Sequence, residues 1–304
     1  MADKSHLPDH DAQSTAVEVM STVDLAGRLA LVTGGYSGLG LVATRELARA
    51  DARVVVPARR AEAAKRALDG LDGIEVDEVD LADLASVRAF SQRFLDRHDR
   101  LDLLIANAGI MACPETRVGP GWEAQFATNH LGHYALTCLL WPALRSAAGA
   151  RVVSVASGWD PAWSIRWHDV QFEHGYDKWA AYTQSKLANI LFARHLDRLG
   201  ARAEVHAFSV NPGYILTPLQ RHLGTDEMVA AGWIDSNGVA TPGLFKTPEE
   251  GAATTLWAAT SPMLTAHGGA YCADCRVVDA QVDEDEARRL WSLSESMTGI
   301  GLPE

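Results

Sequence analysis

Six times along this chain a short apolar run gives way to a longer stretch with helical spacing. The runs are 28–33, 53–56, 74–79, 101–106, 151–155 and 204–210. Leu29-Ala30-Leu31-Val32 and Val54-Val55-Val56 show the type: unbroken apolar character, without alternation. Strands buried on both faces look like this. The intervening stretches, 39–50, 61–68, 82–97 and about 122–147, the last with Pro142 near its end, read as helices, as does the run that opens at Tyr182. Such alternation predicts an α/β fold, a doubly wound parallel sheet of about seven strands with helices on both faces. The seventh strand is expected at 268–272, after a helix at 248–260, and a last helix at 285–297. No repeat or low-complexity linker divides the chain, so one domain over 25–304 is expected. The polar arm 1–24 before it is expected either to pack on the surface or to be disordered.

A net charge of -12, with both signs interspersed, argues against nucleic acid or an anionic membrane surface as partner. No apolar run reaches the ~18 residues of a membrane span, and the N-terminus lacks the pattern of a signal peptide. A cytoplasmic location is expected. Cys272 and Cys275 form a C-x-x-C without further ligands nearby, so no metal is expected, and the pair reads as small thiols ending a strand.

The first run ends in Thr33-Gly34-Gly35-Tyr36-Ser37-Gly38-Leu39-Gly40. A strand passing through glycines into a helix lets the backbone approach a pyrophosphate at the helix's positive end. The spacing departs from G-x-G-x-x-G, although strand, turn and helix follow in the right order. The second run ends in Arg59-Arg60, where a site that prefers NAD would carry an acid. Arginine forks match phosphate geometry, so NADP is favoured over NAD. Asp80-Leu81 and Asn107-Ala108-Gly109 follow the third and fourth runs, at the carboxyl ends of strands, where such folds bind ligands. Tyr182 and Lys186, four apart on a helix, share one face. A nearby ammonium is expected to lower the phenol's pKa and make it usable as an acid or base.

Taken together, Thr33-Gly-x-x-x-Gly-x-Gly40, Asn107-Ala-Gly109, Asn129, Ser157, Tyr182-x-x-x-Lys186 and Pro212-Gly213 resemble the short-chain dehydrogenase/reductase family, whose fold is of Rossmann type. Asn129-His130-Leu131-Gly132-His133-Tyr134, and an insertion at 158–178 between Ser157 and Tyr182, resemble its retinol-dehydrogenase and carbonyl-reductase branch. The resemblance implies Tyr182 as proton donor and acceptor, and Lys186 as the residue that lowers its pKa and binds the nicotinamide ribose. It implies Ser157 on the reacting oxygen and Asn129 holding a water that links Lys186 to solvent. Asp80 and Leu81 would hold the adenine and 107–109 would line the cofactor. Pro212 and Gly213 would approach the nicotinamide, and Ile215 and Thr217 its carboxamide. Ala156-Ser157 stands where the family often has Ser-Ser. Ser154 is the alternative to Ser157, but its strand phase makes it core.

The expected activity is NADP(H)-dependent hydride transfer between the nicotinamide and a carbonyl or secondary alcohol. The alternative is a non-catalytic NADP-binding redox sensor or scaffold. The apolar excursion 214–247 and the Trp-rich insertion 158–178 follow Gly213 and Ser157, so both are expected to wall a pocket for a hydrophobic ketone, aldehyde or alcohol. Trp159, Tyr214, Leu216, Leu219, Met228 and Trp233 are its candidate lining, the alternative being a satellite core under the loops. The family often pairs the helix after Trp122 and the Tyr182 helix across a two-fold axis. A homodimer is therefore expected, with a monomer the other outcome if the insertion covers that face.

Overall fold

The computed structural model describes residues 10–303. Strands β1 (Leu29–Val32), β2 (Arg53–Ala58), β3 (Ile74–Glu78), β4 (Leu103–Ala106), β5 (Arg151–Val155), β6 (His206–Asn211), β7 (Tyr271–Ala273) and β8 (Arg276–Val278) form one sheet. Its order is β3-β2-β1-β4-β5-β6-β7-β8. Neighbours pair in parallel except at the β7–β8 edge. The strand order reverses direction between β1 and β4, and the crevice at such a switch point is where doubly wound sheets bind ligands.

The central strands bury both faces. Ala30, Val32, Val54, Val56 and Ile105 join the core on one side, while Leu29, Leu31, Val55 and Leu104 join the core on the other. This period of two with no polar phase is why the runs read as continuous. Helices α1 (Ala16–Met20), α2 (Gly38–Arg49) and α9 (Pro248–Thr260) cover the first face. Part of the N-terminal arm is therefore ordered: a Thr15/Glu18 capping box starts α1, which buries Ala16, Val19 and Met20. The arm's first nine residues lie outside those described. Between α2 and α9, the chain forms α3 (Ala61–Ala67), α4 (Leu84–Leu95), α5 (Gly132–Leu139), α6 (Trp141–Arg145), α7 (Lys178–Gly200) and α8 (Thr225–Ala230). The chain closes with α10 (Glu284–Thr298).

The single helix expected over 122–147 is instead segmented. Trp122–Glu123 pairs with Arg117–Val118 as a small hairpin. The Glu123 carboxylate then caps a helix at Ala124, accepting from the Gln125 and Phe126 amides. A π-helical turn, Ala127–Leu131, leads into α5, and the helix breaks at Leu140, ahead of Pro142 in the first turn of α6. Proline cannot donate into a helix interior but suits a first turn. Helix α8 lies inside the excursion 214–247, read from the sequence as loop and helix, whereas strand β8 is beyond expectation, its exposed Arg-Val-Val lacking a buried face to announce it.

Helix α10 lies along α7, its Ala287 and Leu290 packed with Leu187, Ala188 and Leu191. Trp291 stacks on Phe192 with ring centroids 5.9 Å apart. Tyr134 of α5 meets the same indole at 4.9 Å. The face on which the family resemblance implies pairing between subunits is therefore occupied by the chain's own last helix.

Candidate active site

Thr33, just past β1, is the hub of a hydrogen-bond network. Its hydroxyl oxygen accepts from the Asn107 and Ala108 amides, both at 2.9 Å, and lies 2.8 Å from His133 Nε2. Asn107 Nδ2 donates back to the Thr33 carbonyl at 2.9 Å. With both lone pairs taken, the hydroxyl has one proton to give, and it faces His133 more closely than the Ile105 carbonyl at 3.3 Å. His133 is buried, and burial lowers its pKa to about 4, so the ring is neutral. Its Nδ1 faces the Asn129 carbonyl at 2.9 Å and must carry the ring's proton, which leaves Nε2 to accept from Thr33. One chain of bonds thus ties the glycine turn, the end of β4 and the π-helical turn.

In the glycine turn, Gly34 and Gly38 have φ of +66° and +51°, a region costly for other residues. Gly40 is required by contact: a Cβ there would stand 2.4 Å from the Gly34 carbonyl oxygen and 2.5 Å from Asn107 Nδ2. Ser37 precedes α2 without capping it through its side chain, so the first amides of the helix keep their donors for a ligand. These observations fit a pyrophosphate, with Tyr36, Ser37, Gly38 and Leu39 at the helix start. Arg59 and Arg60 stand exposed at the end of β2 and take part in no ion pair among the described residues. Asp80 Oδ1 caps the Ala82 amide at 2.9 Å. Leu81 is buried, its carbonyl so near Gly132 that a Cβ there would stand 2.2 Å away.

The side chain of Asn129 is a fastener. It exchanges two 2.9 Å bonds with the Ile110 backbone and donates to Ser185 Oγ, also at 2.9 Å. Ser185 in turn donates to the Tyr182 carbonyl at 2.7 Å. These three bonds tie the segment after β4 to the π-helical turn and to α7. Gly109 lies close by, within 3.7 Å of Lys186 Nζ if a Cβ is built.

Ser157, just past β5, hydrogen-bonds the Tyr182 hydroxyl. Lys186 is 3% exposed, donates to the Val155 carbonyl at 2.9 Å, and holds its ammonium 5.7 Å from the Tyr182 ring centre. Burial lowers the Lys186 pKa to about 8. The Tyr182 phenol moves the other way from expectation: burial raises it, and the Ser157 hydrogen bond opposes this only in part. The free site therefore holds Tyr182 protonated, which suits a proton donor. Ser154 is buried in β5, so Ser157 is the serine at the phenol.

Tyr271 escaped the sequence reading. Its hydroxyl donates to the Ser157 carbonyl at 2.8 Å and so steadies the loop that carries Ser157. Nothing in a short terminal strand signals that role. His133 was visible, four residues beyond Asn129, but its partner Thr33 is 100 residues away in sequence.

Gly213 has φ of +87° and donates to Asn211 Oδ1 at 3.0 Å. Pro212 is half-buried beside it. Ile215 is buried against Leu39 and Gly251, and Thr217 meets Gly38. In the excursion, Trp233 centres a cluster with Trp179, Tyr214 and Phe245, edge contacts of 6.0, 6.4 and 6.2 Å. Glu227 of α8 accepts from Lys178 at 2.7 Å and from the Trp179 indole at 3.2 Å. Tyr214 and Leu216 stay exposed, Leu219 and Met228 half-buried. Trp159 packs on Ala156, Ile190 and Tyr271. The rest of the insertion does not wall the pocket as expected. Trp163 and Trp167 belong to a satellite core with α10, Trp167 donating to Glu286 at 3.1 Å. Their apolar surface is met by α10, a partner at the far end of the sequence. Cys272 and Cys275 are buried, and burial pushes their thiols up to about 12 and 11.

A glycine-turned helix start at the switch point of a doubly wound sheet, with a Ser-Tyr-Lys group nearby, is the layout of a nicotinamide-dependent oxidoreductase. A family model for short chain dehydrogenase matches residues 28–228. A probable oxidoreductase of Streptomyces antibioticus is 42% identical over 292 residues, 88% of this chain and 97% of that one. Retinol dehydrogenase 14 of Mus musculus is 40% identical over 293 residues, 90% of this chain and 86% of that one. The Pseudomonas aeruginosa RhlG/NADP active-site complex superposes with a TM-score of 0.63 at 27% identity, covering 82% of this chain and 95% of that one. The chain belongs to the short-chain dehydrogenase family.

Proposed function

We propose that the protein transfers hydride between NADP(H) and a hydrophobic ketone, aldehyde or secondary alcohol, with Tyr182 as the general acid and base. The observation that carries this is the Ser157–Tyr182–Lys186 group with its buried ammonium, beside a glycine turn that fits a pyrophosphate. When bound, the nicotinamide supplies or accepts the hydride. In reduction, the protonated Tyr182 gives its proton to the substrate oxygen. Ser157 hydrogen-bonds that oxygen and stabilises its growing charge. The Lys186 ammonium stabilises the phenolate that remains. Asn129 and Ser185 hold the helix turn that carries Tyr182.

NADP is favoured over NAD by Arg59 and Arg60 at the end of β2, where no acid stands. The NADP complex of the Pseudomonas aeruginosa relative agrees with this. The exposed and half-buried apolar side chains of the excursion, and the retinol dehydrogenases among the relatives, support a bulky hydrophobic substrate. Because α10 covers the α5–α7 face, we infer that the chain does not pair there.

The test is NADPH oxidation over a panel of bulky ketones and aldehydes. Tyr182→Phe should lower the rate by ~10²–10⁴-fold while NADPH still binds, as expected for loss of a general acid. A variant keeping more than about a tenth of the rate would remove Tyr182 from the mechanism. Wild-type protein that binds NADPH yet reduces nothing in the panel would favour the sensor reading.

A further inference from the structure

A second side chain spans from the segment after β4 to α7 as Asn129 does. Gln125 stands four residues earlier, on the helical turn that Glu123 caps, and is buried like Asn129. Its Oε1 accepts from the Ala112 amide at 2.8 Å. Its Nε2 donates to the Lys178 carbonyl at 2.9 Å and to the Tyr176 hydroxyl at 3.0 Å. A backbone amide can only donate and a carbonyl can only accept, so these partners fix which way the Gln125 amide points. The two side chains repeat one pattern. Asn129 grips Ile110 on one side and, through Ser185, the Tyr182 carbonyl on the other. Gln125 grips Ala112 on one side and the Lys178 carbonyl on the other. In α7 that carbonyl is the helical partner of the Tyr182 amide. Tyr182 is therefore held at both of its backbone polar groups.

The segment they grip needs holding. Ala112 is buried with φ of +48°, a region unfavourable for any residue with a Cβ. Such strain persists only where the surroundings over-determine it, and it gathers at functional sites. Here Gln125 takes the Ala112 amide, and Tyr176 donates to the next carbonyl, that of Cys113, at 2.9 Å. One buried amide side chain thus joins three parts: the strained segment, the insertion 158–178 through Tyr176, and the first turn of the helix that carries Tyr182.

We infer that Gln125 is a positioning residue for the reaction: with Asn129 it fixes the turn of α7 that aims the Tyr182 phenol, and Tyr176 is the insertion's share in that hold. The inference rests on the hydride-transfer reading above and deepens it. The phenol has to meet the substrate oxygen within hydrogen-bond reach, and a misplacement of about 1 Å costs about 10²-fold in rate. Gln125 acts on the phenol only through the backbone, so its loss should be read in the chemical step rather than in binding.

The test follows ketone reduction by the full chain, with kcat counted per NADPH-binding site from titration, so that unfolded protein does not enter the rate. Gln125→Met keeps the length of the side chain and removes its polar end. It should lower kcat by about 10- to 10²-fold, while KM for the ketone and Kd for NADPH stay within about twofold. In a Tyr182→Phe background the same change should cost less than about twofold more, because its effect passes through the phenol. Tyr176→Phe should give a smaller fall in kcat of the same kind. Glycine takes a positive φ without strain, so if Gln125→Met alone does not fold, Ala112→Gly combined with it should restore NADPH binding and leave kcat low. Unchanged kcat per site in Gln125→Met would overturn the inference, as would a loss that adds in full to that of Tyr182→Phe. A fall in NADPH affinity matching the fall in kcat, or a double variant that binds no NADPH, would make Gln125 a support of the fold as a whole and overturn it too. The underlying reading fails separately, if Tyr182→Phe by itself keeps more than about a tenth of the rate.

Discussion

The glycine turn with its β4 neighbours and the excursion 214–247 face each other across one crevice, and they are built in opposite ways. On the first side the polar atoms of Thr33, Asn107 and Asn129 are bonded to protein, and Gly40 leaves no room for a methyl. On the second side Tyr214 and Val239 are each 60% exposed, and α8 buries none of its residues. The excursion is held by a few contacts: the Glu227 bonds to Lys178 and Trp179, the rings around Trp233, and the Lys246–Asp274 ion pair at 2.5 Å. A wall that must fit an invariant dinucleotide can be rigid. A wall that admits a substrate must open, and the segments that move come from the less stable end of a structure. If that contrast is real, the same size of change should cost far more on the rigid side.

Gly40→Ala is the sharpest such change. In a helix interior, alanine is favoured over glycine by about 1 kcal/mol. Here the added methyl would meet a carbonyl oxygen at 2.4 Å and an amide nitrogen at 2.5 Å, atoms fixed by backbone or by Thr33. Overpacking of this kind costs about 1–3 kcal/mol, so the sign reverses to a net loss. We expect a lower Tm and NADPH binding weakened by at least about tenfold. A melt equal to that of wild type with unchanged binding would break the claim that this wall is rigid.

The rigid side also sets a pH limb. The Lys186 pKa is lowered to about 8, so the ammonium is present below that pH and is lost as pH rises through it. Ketone reduction needs that charge when Tyr182 gives up its proton, so kcat/KM for reduction should be level up to about pH 8 and then fall, approaching tenfold per pH unit. The excursion carries no group with such a link to the chemistry. Arg221→Lys should therefore keep the limb where it is, and Lys186→Met should remove it along with most of the rate. A limb that moves with Arg221→Lys would mean that the two walls are coupled electrostatically.

The two walls also differ in how far the sequence disclosed them. The sheet was legible because its central strands bury both faces, which leaves unbroken apolar runs. The Tyr182–Lys186 pair was legible because a helix places residues four apart on one face. What stayed hidden depended on distant partners. Trp163 and Trp167 looked like pocket walls until α10, more than 100 residues on, covered them. His133 gained its meaning from Thr33, and the upward pull on Tyr182 from burial outweighing the ammonium that the spacing advertised. The π-helical turn that presents Asn129 has no signature in composition at all.

The smallest expected effect is on the excursion, and it is the one that tests the contrast from the other side. Trp233 touches Trp179, Tyr214 and Phe245 by ring edges, and each such aromatic pair is worth about 0.5–1.5 kcal/mol beyond its buried area. Loss of a buried tryptophan from a close-packed core costs about 3–5 kcal/mol. Trp233 is only half-buried, in a segment whose surroundings can collapse, so Trp233→Ala should lower Tm by no more than a few degrees. NADPH binding should stay within about twofold, because the glycine turn and Arg59 do not touch the ring cluster. The KM for a bulky ketone should rise several-fold while kcat for the best substrates holds, the pattern of lost ground-state contact rather than lost chemistry. Two outcomes would refute this picture. A fall in Tm comparable to that of Gly40→Ala would make the excursion as rigid as the wall it faces. A fall in kcat with KM unchanged would mean that Trp233 acts through the position of Tyr182, since Trp179 and Tyr182 share the first turns of α7.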